Sequence, residues 1–183
     1  STVESNNREA GRLATSHLIE EGYTDVYFLS LEVVDPIPSV RDRFLGYSDA
    51  LVSSGFELRE DRVIDIPVNA FEDLQYLTAK QDSSVLDSVL EKILTLSDGR
   101  PFGVFGVTDS VASALFRTAT KLSIRVPEDV GFVGVGDDEA AARIDLTTIR
   151  QDYYEIGRTA AETVCEMLDR SLSRSTLHTI SRS

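Results

Sequence analysis

Two apolar segments of this chain each end in a polar turn that contains carboxylates. The first is Phe105-Gly-Val-Thr-Asp109, and the second is Val130-Gly-Phe-Val-Gly-Val-Gly-Asp-Asp138. If both segments are parallel strands, the turns lie at the carboxyl ends of the strands, where open parallel sheets bind their ligands. The pattern therefore predicts a small-molecule pocket, and it does not by itself indicate catalysis.

Arginines that follow the first predicted strand add a donor to the candidate pocket. Arg41 and Arg43 begin a helix that should start at the same edge of the sheet. A guanidinium donates hydrogen bonds in a fixed fork, whereas hydroxyl and carboxylate oxygens accept them, so the set would suit a polyol or a nucleobase. The alternative for Arg43 is a solvated helix residue paired with Asp42 or Glu57.

The carboxylates have structural alternatives as well. Asp109 stands where the following helix requires an N-cap, and capping is favoured there over ligand contact. Asp137 and Asp138 could likewise cap a helix that begins at Glu139, or the acidic run could be a solvated turn. A third alternative is a hydrolase that holds a hard cation with these three aspartates, although no general base or nucleophile accompanies them.

Other residues with chemically useful side chains give weaker signals. The Gly-x-x-Gly-x-Gly spacing from Gly131 to Gly136 reverses the dinucleotide fingerprint and lies inside a strand, so no nucleotide cofactor is expected. His17 and His178 have no neighbouring ligands, which argues against a metal site. Cys165 lacks a histidine partner and is expected to be a buried, inert thiol. No catalytic residue is predicted, and the chain is not expected to be an enzyme.

The elements that position these residues alternate between apolar strands and amphipathic helices. Strands that are apolar along their whole length indicate a parallel sheet covered on both faces, which makes a three-layer α/β sandwich. A last helix should begin near Tyr153, followed by a polar linker at 170–175 and an edge strand at 176–181. The other predicted strands are Val26–Ser30, Arg62–Ile66, Pro101–Val107, Val130–Val135 and Leu146–Ile149.

Composition indicates a globular protein and excludes several functions. The chain has 183 residues, 42% of them hydrophobic, one cysteine and a net charge of −13. The charge opposes nucleic-acid binding by this chain, since phosphate neutralisation by Lys and Arg supplies much of that affinity. One cysteine suits a reducing compartment, and no apolar run approaches the roughly 20 residues of a membrane span. The first residues lack a signal-peptide pattern and an initiator methionine, so we expect a piece of a longer protein.

Several motifs resemble, in their order along the chain, those of LacI/GalR-type transcriptional regulators. Asn6-Asn-Arg-Glu-Ala-Gly11 resembles the segment that opens the second lobe in that family. Ser39-Val-Arg-Asp-Arg-Phe-Leu-Gly-Tyr47, Arg125-Val-Pro-Glu-Asp-Val130 and Leu146-Thr-Thr-Ile-Arg-Gln151 match the family's later motifs at the expected spacings. Each motif alone has moderate specificity, but together they are specific and cover nearly the whole chain.

The resemblance implies a periplasmic-binding-protein-like type I effector domain made of two lobes. Residues 1–150 would form the C-terminal lobe, residues 151–170 a crossover helix of the N-terminal lobe, and residues 171–183 a linker and a returning edge strand. The effector, a sugar or purine-like molecule, would contact Arg43, Thr108, Asp109, Gly136 and Asp137. The hinge would comprise Thr147, Thr148, Arg150 and Gln151.

The same resemblance implies a cytoplasmic repressor that acts as a homodimer without a cofactor. It would bind operator DNA through a helix-turn-helix absent from the sequence shown, and it would not bind a membrane. Thr108 stands where the family has an amide, Gly136 aligns with its effector-binding aspartate, and Ile144-Asp145 replaces a Pro-Pro pair. The alternative with the same fold is a solute-binding protein of a transporter.

Overall fold

A computed structural model describes residues 5–32, 37–67 and 84–180 of the chain. Helices and strands alternate through these residues, as the apolar pattern predicts. A 3₁₀ turn at Glu60–Arg62 precedes the second strand. The elements in chain order are α1 (Asn7–Glu20), β1 (Val26–Glu32), α2 (Pro38–Ser53), β2 (Val63–Pro67), α3 (Ser84–Ser97), β3 (Phe102–Gly106), α4 (Asp109–Lys121), β4 (Val130–Gly136), α5 (Glu139–Ala142), β5 (Thr147–Arg150) and α6 (Tyr153–Ile180).

The five strands form one parallel sheet in the order β2-β1-β3-β4-β5. Strands β1, β3 and β4 are buried along nearly their whole length, whereas β2 and β5, at the two edges, expose part of theirs. This arrangement confirms the predicted α/β fold with a parallel sheet. Because the strands are parallel, β3, β4 and β5 all end at the same edge, which we call the carboxyl edge.

An aromatic cluster holds α2 against the middle of the sheet. The ring of Phe28 on β1 lies 5.3 Å from that of Phe105, 5.4 Å from that of Tyr47 and 5.5 Å from that of Phe44, measured between centroids. The Tyr47 hydroxyl also donates a hydrogen bond of 2.9 Å to the carbonyl oxygen of Val26. This packing orients α2, and therefore Arg43 on that helix, relative to the strands.

Two glycines allow α1 and α2 to cross in backbone contact. A Cβ atom at Gly11 would lie 2.0 Å from the carbonyl oxygen of Arg43, and one at Gly46 would lie 1.9 Å from that of Arg8. Real Cβ atoms essentially never come so close to another heavy atom. The crossing therefore requires glycine at both positions, and it brings the first turn of α1 beside Arg43.

The chain divides into two compact units, residues 6–150 and residues 1–5 with 151–183. In the second unit, α6 is a continuous helix of 28 residues. The polar linker predicted at 170–175 and the strand predicted at 176–181 are therefore wrong as far as Ile180, while residues 181–183 lie outside the described part. The sequence contains no glycine or proline after Gly157, so no helix-breaking residue interrupts α6. The assignment of residues 151–170 to another lobe stays a prediction.

Helix α6 exposes several large apolar side chains between Tyr153 and Leu168. Tyr153 and Tyr154 are 64% and 78% exposed, and Val164, Met167 and Leu168 are each more than half exposed. Cys165, which we expected to be buried, is exposed as well. Among the described residues, no helix combines the length and apolar character that a membrane crossing requires.

Candidate functional site

Arg43 is buried and connects α1, α2 and the end of β3. Only 6% of the residue is exposed. Its Nε donates a hydrogen bond of 3.0 Å to Oδ1 of Asn7, and its Nη1 donates one of 2.6 Å to the carbonyl oxygen of Val107. The alternative of a solvated residue paired with Asp42 or Glu57 is therefore wrong. Arg43 lies beside the carboxyl edge, and its contact with an effector stays a prediction.

Thr108, and not Asp109, caps helix α4. Thr108 has extended backbone angles, and its hydroxyl accepts a hydrogen bond of 3.4 Å from the amide of Val111. Asp109 is the first residue of the helix, so the predicted N-cap was one residue too late. Threonine and aspartate are both good caps, and the sequence alone does not separate two adjacent candidates.

Asp109 is instead a buried carboxylate that binds two other segments. The residue is 1% exposed. Its Oδ1 accepts a hydrogen bond of 2.5 Å from the hydroxyl of Thr148 on β5, and its Oδ2 accepts one of 2.9 Å from the amide of Asp138 after β4. Burial raises the pKa of Asp109, and the hydrogen bonds from Thr148 and from the amide of Asp138 oppose that rise. We call Asp109, Asp138 and Thr148 the Asp109 clasp.

Two glycines of β4 make the space that this carboxylate occupies. A Cβ atom at Gly134 would lie 2.3 Å from Oδ1 of Asp109, and one at Gly136 would lie 3.1 Å from Oδ2. Gly136 also has a φ of +145°, which L side chains rarely adopt. Gly134 and Gly136 in the Gly-x-x-Gly-x-Gly spacing of β4 therefore leave room for Asp109, whereas Gly131 leaves room for the ring of Tyr23. Sequence reasoning missed this relation because the glycines lie on β4 and the aspartate begins α4, 25 or more residues earlier in the chain.

The turn after β4 carries two aspartates with different roles. Asp138 caps α5, as one of the predicted alternatives has it, by accepting a hydrogen bond of 2.8 Å from the amide of Ala141. Asp137 has a φ of +59°, and its amide donates a hydrogen bond of 3.2 Å to the hydroxyl of Thr148. Its side chain is 44% exposed and lies 3.7 Å from Nε of Arg150. Of the five predicted binding residues, Asp137 alone presents an exposed side chain at the carboxyl edge.

The residues predicted to form a hinge lie at the junction of the two units. Thr147, Thr148 and Arg150 belong to β5, and Gln151 follows it. Thr148 pairs with Gly134, and Arg150 pairs with Gly136, so β5 lies next to the end of β4, where the turn with Asp137 begins. The side-chain oxygen of Gln151 accepts a hydrogen bond of 2.8 Å from the hydroxyl of Tyr153. A bending motion at these residues stays a prediction.

The acidic residues do not form a metal centre in the described part of the chain. No three His, Cys, Asp or Glu residues there are grouped so that they could hold a metal ion. Both oxygens of Asp109 accept hydrogen bonds, and Asp138 caps α5. These contacts leave the hydrolase alternative without a supporting arrangement.

His17 lies away from the carboxyl edge. It lines a groove of about 490 Å³ next to the amino ends of β4 and β5, together with Tyr23 and Phe132. The hydroxyl of Tyr23 donates a short hydrogen bond of 2.5 Å to the carbonyl oxygen of Pro127 at this groove. The groove and the carboxyl edge therefore lie at opposite ends of the strands.

Known proteins share this sequence pattern and this fold. A family profile described as periplasmic binding protein-like domain matches residues 15–181. A curated relative, the HTH-type transcriptional repressor PurR of Vibrio parahaemolyticus, is 31% identical over 165 residues, which cover 89% of this chain and 45% of the relative. PurR of Vibrio cholerae is 29% identical over the same share of this chain and 44% of its own length. The chain thus spans less than half the length of these curated relatives.

Solved structures with the same fold include regulators with bound sugars. The complex of the transcriptional regulator CelR with cellobiose is similar with a TM-score of 0.70 and 25% identity, over 91% of this chain and 46% of that one. A LacI family transcriptional regulator from Enterococcus faecium with bound ribose has a TM-score of 0.66 and 23% identity, over 90% of this chain and 55% of that one. The second likeness concerns the fold alone.

Proposed function

The chain belongs to the periplasmic binding protein-like domain family, in the form that LacI-type regulators contain, and we propose from this membership that it is one lobe of the effector-binding part of a transcriptional repressor. In this role it binds a small molecule and does not transform it. The proteins to which it is similar are regulators and not enzymes.

The observation that carries the proposal is the convergence of three segments at the carboxyl edge. The turn after β3, the turn after β4 and strand β5 meet at the Asp109 clasp. Asp137 presents an exposed carboxylate there, and Arg43 lies buried next to the end of β3. Ligands of open parallel sheets bind at this edge. The edge therefore supplies one wall of a binding site.

The chemistry of this wall favours a ligand that carries hydroxyl or N–H donors. The exposed carboxylate of Asp137 accepts hydrogen bonds, and the charge on a carboxylate makes such bonds shorter and stronger than neutral ones. Sugars and purines both carry suitable donors. Similar structures include complexes with cellobiose and with ribose, and the curated relatives are repressors named PurR. We propose that the effector is a sugar or a purine-like molecule.

The exposed face of α6 supports a second lobe as the other wall. Tyr153, Val164 and Met167 are each more than half exposed, and exposed apolar surface of this kind marks an interaction site. The chain spans less than half the length of its curated relatives, and the remaining length of such a relative is enough for a second lobe. In this proposal the effector bridges the two lobes, and Thr147 to Gln151 act as the hinge.

The proposed mechanism couples the bridging ligand to DNA binding. A ligand shifts an equilibrium between open and closed lobes only by its difference in affinity for the two states. In a homodimer, closure would move the DNA-binding heads relative to each other. The net charge of −13 supports a DNA contact outside this lobe, which we assign to a separate helix-turn-helix. A repressor of this kind works in the cytoplasm.

Operator binding by the complete gene product tests this proposal. We expect its affinity for operator DNA to fall linearly with salt concentration on a logarithmic plot, because protein cations displace counterions from phosphate. We also expect one member of a panel of cellobiose, ribose and purine bases to change that affinity. Scrambled DNA of the same length is the control. Binding that is independent of salt, or equal for operator and scrambled DNA, would contradict the proposal.

A further inference from the structure

We propose that Asp109 is a positioning residue that holds the β4–α5 turn, and with it Asp137, in register with strand β5. The inference concerns the geometry of the carboxyl edge, and only its consequence for effector binding rests on the proposed function. Its basis is the Asp109 clasp, in which one buried carboxylate joins the start of α4, the turn after β4 and strand β5.

The hydrogen bonds of the clasp form a closed circuit. The hydroxyl of Thr148 donates to Oδ1 of Asp109 and accepts from the amide of Asp137. The amide of Asp138 donates to Oδ2 of the same carboxylate. Thr148 and Asp109 each take part in two of these three hydrogen bonds, so the loss of one bond is expected to weaken the others.

The requirement for a carboxylate follows from this circuit. Asp109 has two acceptor oxygens, and each meets a donor. An asparagine at this position presents one acceptor and one NH₂ group. If the NH₂ group faces Thr148, it can donate to the threonine Oγ1, but the hydroxyl hydrogen of Thr148 then loses its acceptor; if it faces the amide of Asp138, two donors oppose each other. Either orientation leaves one donor of the clasp without its acceptor, with almost no change in volume.

The glycines of β4 provide an independent observation. Gly134 and Gly136 leave space for the two carboxylate oxygens, and a Cβ atom at Gly134 would overlap Oδ1. The strand thus lacks side chains where it faces Asp109. Because this space matches one buried side chain, the sheet itself fixes the position of the Asp109 carboxylate.

The function that follows is control of a backbone conformation. Asp137 has a φ of +59°, which is uncommon for a residue with a side chain. The amide of Asp137 donates to Thr148 and the amide of Asp138 donates to Asp109, so two consecutive amides of the turn are held in place. The clasp thereby sets the direction in which the exposed carboxylate of Asp137 points. Since Thr148 lies on β5, the same clasp connects the β4–α5 turn with the strand that leads to Gln151.

Amide hydrogen exchange in the 183-residue chain tests the inference by cross-effects. In Thr148→Val, the amide of Asp137 loses its own acceptor, so the informative amide is that of Asp138, whose acceptor is Asp109. In Asp109→Asn, the informative amide is that of Asp137, whose acceptor is Thr148. We expect each informative amide to exchange about tenfold faster or more than in the wild type, because a charge-assisted bond is lost from the circuit.

Matched variants separate positioning from general destabilisation. Thr148→Ser keeps the hydroxyl and should restore slow exchange, whereas Thr147→Val, on the neighbouring exposed position of β5, should leave both amides unchanged. The amide of Val107, bonded to the carbonyl oxygen of Leu29, serves as the internal reference. If the two informative amides keep their wild-type rates, or if the reference accelerates by the same factor, the inference is overturned. Ligand binding does not enter this test, so its failure is distinct from failure of the proposed function.

Discussion

Replacing Gly11 with alanine should separate α1 from α2 and disturb Arg43. The new Cβ atom would lie 2.0 Å from the carbonyl oxygen of Arg43, whereas contacts under 3.0 Å are essentially never seen. The helices must therefore move apart by about 1 Å, because the atom that is met belongs to backbone and cannot rotate away. Such a movement strains the hydrogen bond between Asn7 on α1 and Arg43 on α2.

The magnitude follows from two opposing effects. Overpacking costs typically about 1–3 kcal/mol, and the upper end applies here because a helix backbone has to shift. Alanine recovers about 1 kcal/mol of helix propensity relative to glycine. The net loss is about 2 kcal/mol, which corresponds to a decrease in Tm of about 4–8 °C for a chain of this size.

Thermal unfolding followed by circular dichroism provides the assay, and two further variants sharpen it. Gly157→Ala is the matched control, since a Cβ atom there meets nothing within 4 Å, and its Tm should stay the same or rise slightly. Gly46→Ala lies at the same crossing, so the double variant with Gly11→Ala should lose less than the sum of the single losses. A Gly11→Ala protein as stable as the Gly157→Ala protein would refute the reasoning.

Three further predictions concern the core and α6. Arg62→Met should lower the free energy of unfolding by about 3 kcal/mol in urea titrations, because it removes the two short hydrogen bonds to the buried Asp25 and leaves only the exposed Arg100 guanidinium, 3.8 Å away, as its ion-pair partner; a loss below 1 kcal/mol would contradict this. Burial raises the pKa of Tyr27 to about 12, so the difference between the absorbance titrations of the wild type and of Tyr27→Phe should show this phenol protonated at pH 11. Its contribution to stability is then complete below the unfolded pKa of about 10 and lost as the pH rises through the folded value; titration near 10 in the folded protein would be the contrary result. The isolated chain should self-associate through the apolar side chains that α6 exposes, and Val164→Glu with Met167→Glu should reduce this association in sedimentation experiments, since both side chains are more than half exposed; unchanged association would argue against this face.

The sheet was predictable because burial on both faces leaves a direct mark on the sequence. Uninterrupted apolar segments such as Val130–Val135 indicate a parallel strand, and the structure has β4 at Val130–Gly136. The end of the chain was not predictable in the same way. Sequence reasoning predicts an edge strand at 176–181 after a polar linker, but no glycine or proline after Gly157 interrupts a helix, and α6 continues to Ile180.

The individual roles of the site residues depend on contacts between distant segments. The sequence placed Arg43, Asp109 and Asp137 near one edge, but it left the partners of each open. Arg43 is buried because the glycines at the α1–α2 crossing bring Asn7 beside it. Asp109 is not a cap because Thr108 precedes it, and its partners lie 29 and 39 residues away. The pattern of neighbouring residues in the sequence does not show such contacts between distant segments.

The most direct test of the account is effector binding at the carboxyl edge. Calorimetric titration of the complete gene product with cellobiose, ribose and purine bases should find one ligand that binds. Asp137→Asn should lower the affinity for that ligand by about tenfold or more, because a charged hydrogen-bond acceptor is lost. Glu91→Gln, which removes the same charge at an exposed position of α3, should leave the affinity unchanged. A ligand that binds both variants as tightly as the wild type would contradict the assignment of this edge as the binding site.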